Sequence, residues 1–493
     1  MGIIEKQATK NAIYSYFGAG LGFLTLIWSS HLLSPDENGL TRILISISAL
    51  FSQFAGLGFN ASTVRFFPYF RNKDKGHHGY LFYGIIVTLL GFFLCWITFY
   101  FLKDKVVENN IEKSKLFVDY LFYLMPLTLF TLFFNLFDYY LRACYSSVIG
   151  SSSKDFIQRM LILLTLFLYF TKTIDFNLFI FLYVAALCIP TLILLFYIIK
   201  LDEWHIKPVR GFVSKELRAE MIKLSLFSIL AGSAGLLISN IDIIMVNQKL
   251  GLKQTGIYAI AFYFGTIISI PARSLQRIAM SIVSEAFKTN DLAKIKELYQ
   301  KSCNTQLAIG ILLFIGIWSN IDNIMAILPE EYAEGKLVIL FVSAGYLVDM
   351  STGMNYIIMI TSKYYRYDGY FMILILLLTV LANHFLIPVY GITGSAIATA
   401  LTISLYNVMR WLFLYLKFDM QPYDLNNLKT ILIAAVAFLP GYFIPFMHDL
   451  YLDIIIRSGI VGGVFILLIL KLEAAPELNV KIRKNLKRFS INL

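Results

Sequence analysis

Long apolar stretches separated by short polar ones run through this chain almost from end to end. A helix needs about 20 mostly apolar residues to cross the hydrocarbon core of a bilayer. Reading for such runs predicts about fourteen. They lie near residues 11–33, 40–66, 79–102, 117–141, 156–171, 176–200, 222–247, 256–286, 303–319, 336–361, 367–387, 391–416, 429–447 and 451–471. The fifth is the shortest. The runs are continuously apolar rather than alternating, so they predict helices and not the strands of a barrel. The fold class is an all-α polytopic membrane protein.

The polar segments set the organisation. The longest connection, about 201–221, is charged and contains Pro208 and Gly211. It predicts a joint between a first lobe of six helices (1–200) and a second (222–417), followed by two more helices and a basic tail (418–493). Shifting residues 31–70 by 217 places them on 248–287 with the same layout of helix, Gly-containing turn, long helix and basic loop. An offset of six helices implies a parallel repeat with a substrate site between the halves. Gly18, Gly20, Gly22, Gly56, Gly58, Gly232, Gly235, Gly391 and Gly394 sit inside or at the start of runs, where small residues let helices pack closely or bend.

Composition agrees. The chain is 58% hydrophobic and 15% charged, against about 25% charged in a soluble domain. With the N-terminus taken as cytoplasmic, about 28 of the 42 Lys and Arg fall on cytoplasmic segments and helix margins and about 10 outside, which is the positive-inside pattern. An even helix count then puts the C-terminus inside too. Lys103, Lys105, Lys113 and Lys115 fall outside, offset by Asp104, Glu108 and Glu112, and the outside loop 319–335 is acidic. The net charge of +11 therefore reads as topology and contact with anionic membrane lipids, not nucleic-acid binding. Lys6 and Lys10 precede an apolar run too long for a signal-peptide core, so the first helix is expected to be its own insertion signal. Cys95, Cys144, Cys188 and Cys303 are scattered, with no metal-ligand spacing. No DxD sequence, nucleophile–base pair or extramembrane segment of catalytic size is evident, which points away from a membrane glycosyltransferase or polymerase and towards a transporter without catalytic residues or metal.

Charge inside the membrane marks the candidate chemistry. An arginine at mid-bilayer costs at least about 2.5–3.5 kcal/mol, so each demands a partner, water or an anionic guest. Four are read inside runs: Arg65, Arg273, Arg277 and Arg410. Arg273 and Arg277 are four apart and share a helix face. Arg277 precedes Lys288 by eleven residues, roughly 16 Å of helix. Both suit a phosphate-bearing guest, which guanidinium binds through paired hydrogen bonds; an ion pair with Asp242 or Asp349 is the competing reading. Arg65, just beyond Asn60, serves either to catch such a guest or as an interfacial anchor. Arg410, beside Trp411, reads as an anchor, Asp138 and Arg142 as a local salt bridge, and His384 as structural. Asp242 and Asp349, with Asn240 and Asn355 nearby in sequence, are the candidates to take a coupling proton or Na⁺.

Four segments carry a resemblance: HLLSPDENGL (31–40), FAGLGFNASTVRFFPYF (54–70), the stretch 237–287 from LISNIDIIMVNQ to SIVSEAF, and YGITGSAIATALTISLYNVMRW (390–411). Together with length and helix count, the chain resembles the Wzx-type polysaccharide flippases of the multidrug/oligosaccharidyl-lipid/polysaccharide (MOP) exporter superfamily. The resemblance implies two lobes in a V around a central cavity and alternating access. It implies a bacterial inner-membrane protein that flips a lipid-linked oligosaccharide, typically on undecaprenyl pyrophosphate, in an O-antigen, capsule or exopolysaccharide pathway. It implies a monomer that works with polysaccharide polymerase machinery, with ion coupling by H⁺ or Na⁺ but no bound cofactor. A multidrug or cation antiporter and a lipid II flippase are the alternatives. Arginines that match the acids in number favour an anionic guest.

Overall fold

The computed structural model describes residues 3–207, 209 and 211–488; the side chains of 3–13, 15–16, 230–232, 273–274, 277–278, 281, 481 and 484–488 lie outside the description. Every regular element among the described residues is a helix. The chain divides into two compact units, Met1–Gly256 and Ile257–Leu493.

In the first unit α1 (Ile3–Leu32) leads to α2 (Pro35–Ala55), whose start is written in the sequence. Ser34 caps it, Glu37 returns the capping-box bond and Pro35 fills the first turn. A break at Gly56–Gly58 follows. Leu57 and Gly58 both adopt positive φ (47° and 71°), and α3 (Phe59–Phe70) departs at 47° from α2. The bend is held by close packing: the carbonyl of Ser225 sits where a Cβ on Gly58 would lie, and that of Ala55 where a Cβ on Gly91 would lie. α4 (Tyr80–Asn110), α5 (Lys115–Asp119), α6 (Leu124–Ala143) and α7 (Val148–Ser151) come next. A π-helical turn, Ser152–Ile157, runs into α8 (Gln158–Phe170). α9 (Phe176–Lys200), capped by Asp175, and α10 (Lys215–Leu250), capped by Ser214, complete the unit. Packing groups α10 with the helices before it, because it lies along α2 and α3. Its Asn247 takes part in a chain of buried bonds, Ser114 Oγ to Asn247 Oδ1 and Asn247 Nδ2 to Asn110 Oδ1, each 2.9 Å. The connection 201–214 packs Trp204, Phe212 and Val213 onto the aromatic core of Phe67, Phe70, Tyr80 and Tyr140.

α11 (Leu252–Thr266) carries the chain into the second unit. There α12 (Ile270–Lys288), α13 (Leu292–Ser319) and α14 (Ile321–Ile327) precede α15 (Lys336–Ser351). A break at Gly353 (φ 62°) separates α15 from α16 (Asn355–Thr361), a 56° bend. α17 (Tyr365–Phe418) is 54 residues long but leaves helical geometry at Gly391 (φ 59°, ψ −140°). Asp368 and Arg410 would stand about 63 Å apart on a straight helix; they meet at 2.7 Å. The element is therefore a helical hairpin folded at Gly391, matching the two runs 367–387 and 391–416. α18 (Leu425–Phe443) and α19 (Leu450–Leu472) pack together and on α13, and α20 (Pro476–Arg488) closes the described chain.

Nine described helices are long and apolar enough to cross a membrane, or up to eleven if each bent pair is one span. The count differs from fourteen for visible reasons. The described apolar part of α1 is the short stretch Phe17–Leu32, α8 has only 13 residues beyond its π turn, and the α17 hairpin is one element. The molecule is a multi-pass membrane protein.

Candidate functional site

The helix breaks gather the polar side chains. In the second unit the break after α15 is tied to the returning arm of α17 through Asn407. Its Oδ1 accepts from Thr352 Oγ1 (2.9 Å) and Asn355 Nδ2 (3.0 Å), and its Nδ2 donates to Asp349 (3.0 Å). α13 braces the same break: Ser302 Oγ accepts from the Met354 amide at 3.2 Å, and the Cys303 thiol donates to the Ser351 carbonyl. Asn407 is 1% exposed, so an unpaired amide there would be costly, and both of its ends are used. One turn on, Arg410 pairs with Asp368 and stacks on the Tyr406 ring at 3.6 Å, with Tyr356 at 4.8 Å. Arg410 is 5% and Asp368 4% exposed. Arg410 is thus a buried, neutralised cation rather than an interfacial anchor.

The expected guest-binding residues fall on two elements. Asn60 and Arg65 lie on α3, past the first break. Arg65 is exposed, rests 5.5 Å from the Phe66 ring and makes no ion pair among the described residues. Arg273 and Arg277 lie on α12, and their side chains are outside the described residues. Of the ion-coupling candidates, Asp242 is buried on α10, and Asn240 donates to the Leu236 carbonyl of its own helix. Asp349 is half-buried, takes the Asn407 amide and has no ion pair among the described residues. Asp242 and Asp349 belong to different compact units.

Other charges escaped the sequence reading. Arg457 lies in α19 and pairs with Asp453 (2.9 Å), which also takes Asn323; its Nη1 donates to the Gly441 carbonyl. The pair is an i,i+4 pattern and was legible. Arg42 lies in α2 with its Nε buried and without a hydrogen-bond partner. Asp138 and Arg142 form the expected local pair at 2.7 Å. Beyond α3, His77, Cys144 and Glu203 bring potential ligand atoms within 4.8 Å of one another, from three segments far apart in sequence. The Asn72 amide donates to His77 Nδ1, which leaves the ring proton on Nε2, 2.7 Å from Glu203. Those donors suit a closed hydrogen-bonded pair that pins the 201–214 connection, not a metal cage, in which the second ring nitrogen would donate.

The chain matches the family described as "Polysaccharide biosynthesis protein" over residues 6–280. No curated protein sequence matches it. Among solved structures it is similar to the lipid II flippase MurJ in an inward closed conformation. That likeness has a TM-score of 0.75 at 14% identity and covers 93% of this chain and 97% of MurJ. An inward-facing multidrug resistance MATE transporter of the MOP superfamily gives 0.63 at 14%, over 82% and 94%. A MOP superfamily transporter from Pyrococcus furiosus, described as having a binding pocket of reversed polarity, gives 0.55 at 14%, over 84% and 96%. More than half of the sequence fits the family, and nearly all of it follows the fold: the chain belongs to the polysaccharide biosynthesis protein family, with the fold of the MOP superfamily transporters.

Proposed function

We propose that this protein is a flippase that moves a polyprenyl-pyrophosphate-linked oligosaccharide from the cytoplasmic to the periplasmic leaflet of a bacterial inner membrane by alternating access. The observation that carries the reading is the state of the arginines. Arg410 and Arg457 are neutralised by carboxylates within their own unit, whereas Arg65 presents an exposed guanidinium with no ion pair among the described residues. An exposed arginine without an ion pair is suited to a phosphate, which its guanidinium binds through paired hydrogen bonds. Arg65 with Asn60 draws the pyrophosphate in, and Arg277 and Arg273, on one face of α12, hand it on while the prenyl tail stays in lipid. Asp242 or Asp349, with Asn240, takes the coupling proton or Na⁺. Family membership supports a polysaccharide cargo, and the fold supports transport.

The experiment is deletion of the gene in its host, with lipid-linked glycans quantified by mass spectrometry and their sidedness probed by an impermeant reagent. Completed oligosaccharide is expected to accumulate on the cytoplasmic leaflet, and Arg65→Ala and Arg277→Ala are expected to restore little flipping despite normal membrane insertion. Unchanged sidedness together with new sensitivity to cationic drugs would move the protein to the drug exporters. The likeness to MurJ favours one second reading, a lipid II flippase; trapping of lipid II instead of another glycan would select it.

A further inference from the structure

The first unit contains a cationic pocket that the mechanism above leaves unused. A cavity of about 100 Å³ lies between α2, α6, α9 and the π-helical turn before α8. Ile45, Leu127, Leu187 and Pro190 give it apolar walls. Lys154, Gln158, Thr131 and Ser48 give it polar ones.

Its depth follows from the helices. Ser48 lies thirteen residues beyond Pro35, about 20 Å along α2. Leu187 and Pro190 lie near the middle of α9. The pocket therefore sits well inside the span, where an ammonium is costly and marks function by default. Lys154 rests on the Phe134 ring at 5.0 Å, a contact that recovers only part of that cost. Asp138 and Asp155 are the acids in electrostatic reach, and neither lies within ion-pair distance of its ammonium; Asp138 is already engaged by Arg142 at 2.7 Å. Neither Gln158 nor Thr131 spends its side chain on a hydrogen bond among the described residues, so both face the cavity with capacity to spare. The Lys154 side chain is not itself covered by protein. One turn outward on the α2 stripe that carries Ile45 and Ala49, Arg42 adds a second cation, its Nε buried and unpartnered. The π turn that presents Lys154 is a rare distortion frequently found at functional sites.

We propose that this pocket binds a carboxylate-type anion, with Lys154 as its counter-charge, Gln158 and Thr131 as hydrogen-bonding partners and Arg42 biasing the local potential. Under the flippase reading, on which this step rests, the anion is the carboxylate of an acidic sugar, and the cargo is an acidic glycan. The pocket is too small for a whole oligosaccharide and suits one charged substituent.

The test uses the full-length protein in lipid nanodiscs, titrated calorimetrically with glucuronate, glucose and inorganic phosphate. Glucuronate is expected to bind saturably with Kd on the order of millimolar, and glucose not to bind. Lys154→Gln should weaken glucuronate at least tenfold, Lys154→Arg should retain most of the affinity, and Gln158→Leu should weaken it severalfold. Gel filtration checks that each variant is folded, and the Arg variant keeps the test valid if the Gln variant is not. Phosphate binding as tightly as glucuronate would keep the anion site but overturn the acidic-sugar assignment. Absence of anion binding, or binding unchanged in both Lys154→Gln and Gln158→Leu, would overturn the site. A protein that binds glucuronate yet flips no glycan would instead sink the flippase reading.

Discussion

Arg410 shows how a residue's meaning is set by a neighbour far away in sequence. Read alone, beside Trp411, it is an anchor; folded, it is paired with Asp368, 42 residues earlier. Both groups are desolvated, so removing one leaves the other as a buried, uncompensated charge. Asp368→Asn is predicted to cost about 3–5 kcal/mol, seen as a clearly lower melting temperature in detergent, while Asp368→Leu combined with Arg410→Met should be less damaging than either change alone. A single variant that melts like the parent would show that the pair carries no stability. Asp453 and Arg457 contrast with it, because a spacing of four on one helix announces the contact. His77 and Glu203, 126 residues apart, do not announce theirs.

The elements follow the hydrophobic pattern closely, and their ends follow the caps. Ser34, Asp175, Ser214, Asp291, Asp424 and Asp449 each accept a backbone N–H of the first turn they precede. A break inside a run is harder to see: Gly56 lies within the run 40–66, whereas Gly391 opens the run 391–416. The first keeps right-handed geometry while Leu57 and Gly58 turn; the second takes a conformation open almost only to glycine. A Cβ on Gly391 meets nothing within 4 Å, so Gly391→Ala should act through backbone strain alone. We predict a loss of about 1–3 kcal/mol, against no loss for Gly459→Ala, which also has open space but lies in regular helix. Thermal unfolding of both variants checks this, and equal melting temperatures would mean that the hairpin turn at Gly391 relaxes freely.

At the scale of the whole molecule, charge asymmetry predicts topology. A fluorescent reporter fused after Leu493 should be active in the cytoplasm, and a phosphatase inserted beside Glu330 should be active in the periplasm. A dark C-terminal fusion would invert the orientation and with it the proposed direction of transport. The residue grouping is subtler. A joint at 201–221 is the natural reading of a long charged connection, yet α10 packs with the helices of the first unit. Connection length reports where the chain is solvated, whereas compactness is decided by which faces meet.

Hydrophobic period and length and basic asymmetry are local quantities, and they were enough for an all-helical membrane protein and the approximate position of its helices; the resemblance to a superfamily came instead from the motifs at 31–40, 54–70, 237–287 and 390–411. They could not assign partners to buried charge, because contacts such as Asn407 with Asp349 and Arg410 with Asp368 join residues 58 and 42 positions apart. Nor could they reveal that Lys154, in a polar stretch between two runs, is carried by a π turn into a pocket at mid-helix depth. Solvation cost is written along the chain; its compensation is settled only when the helices are brought together.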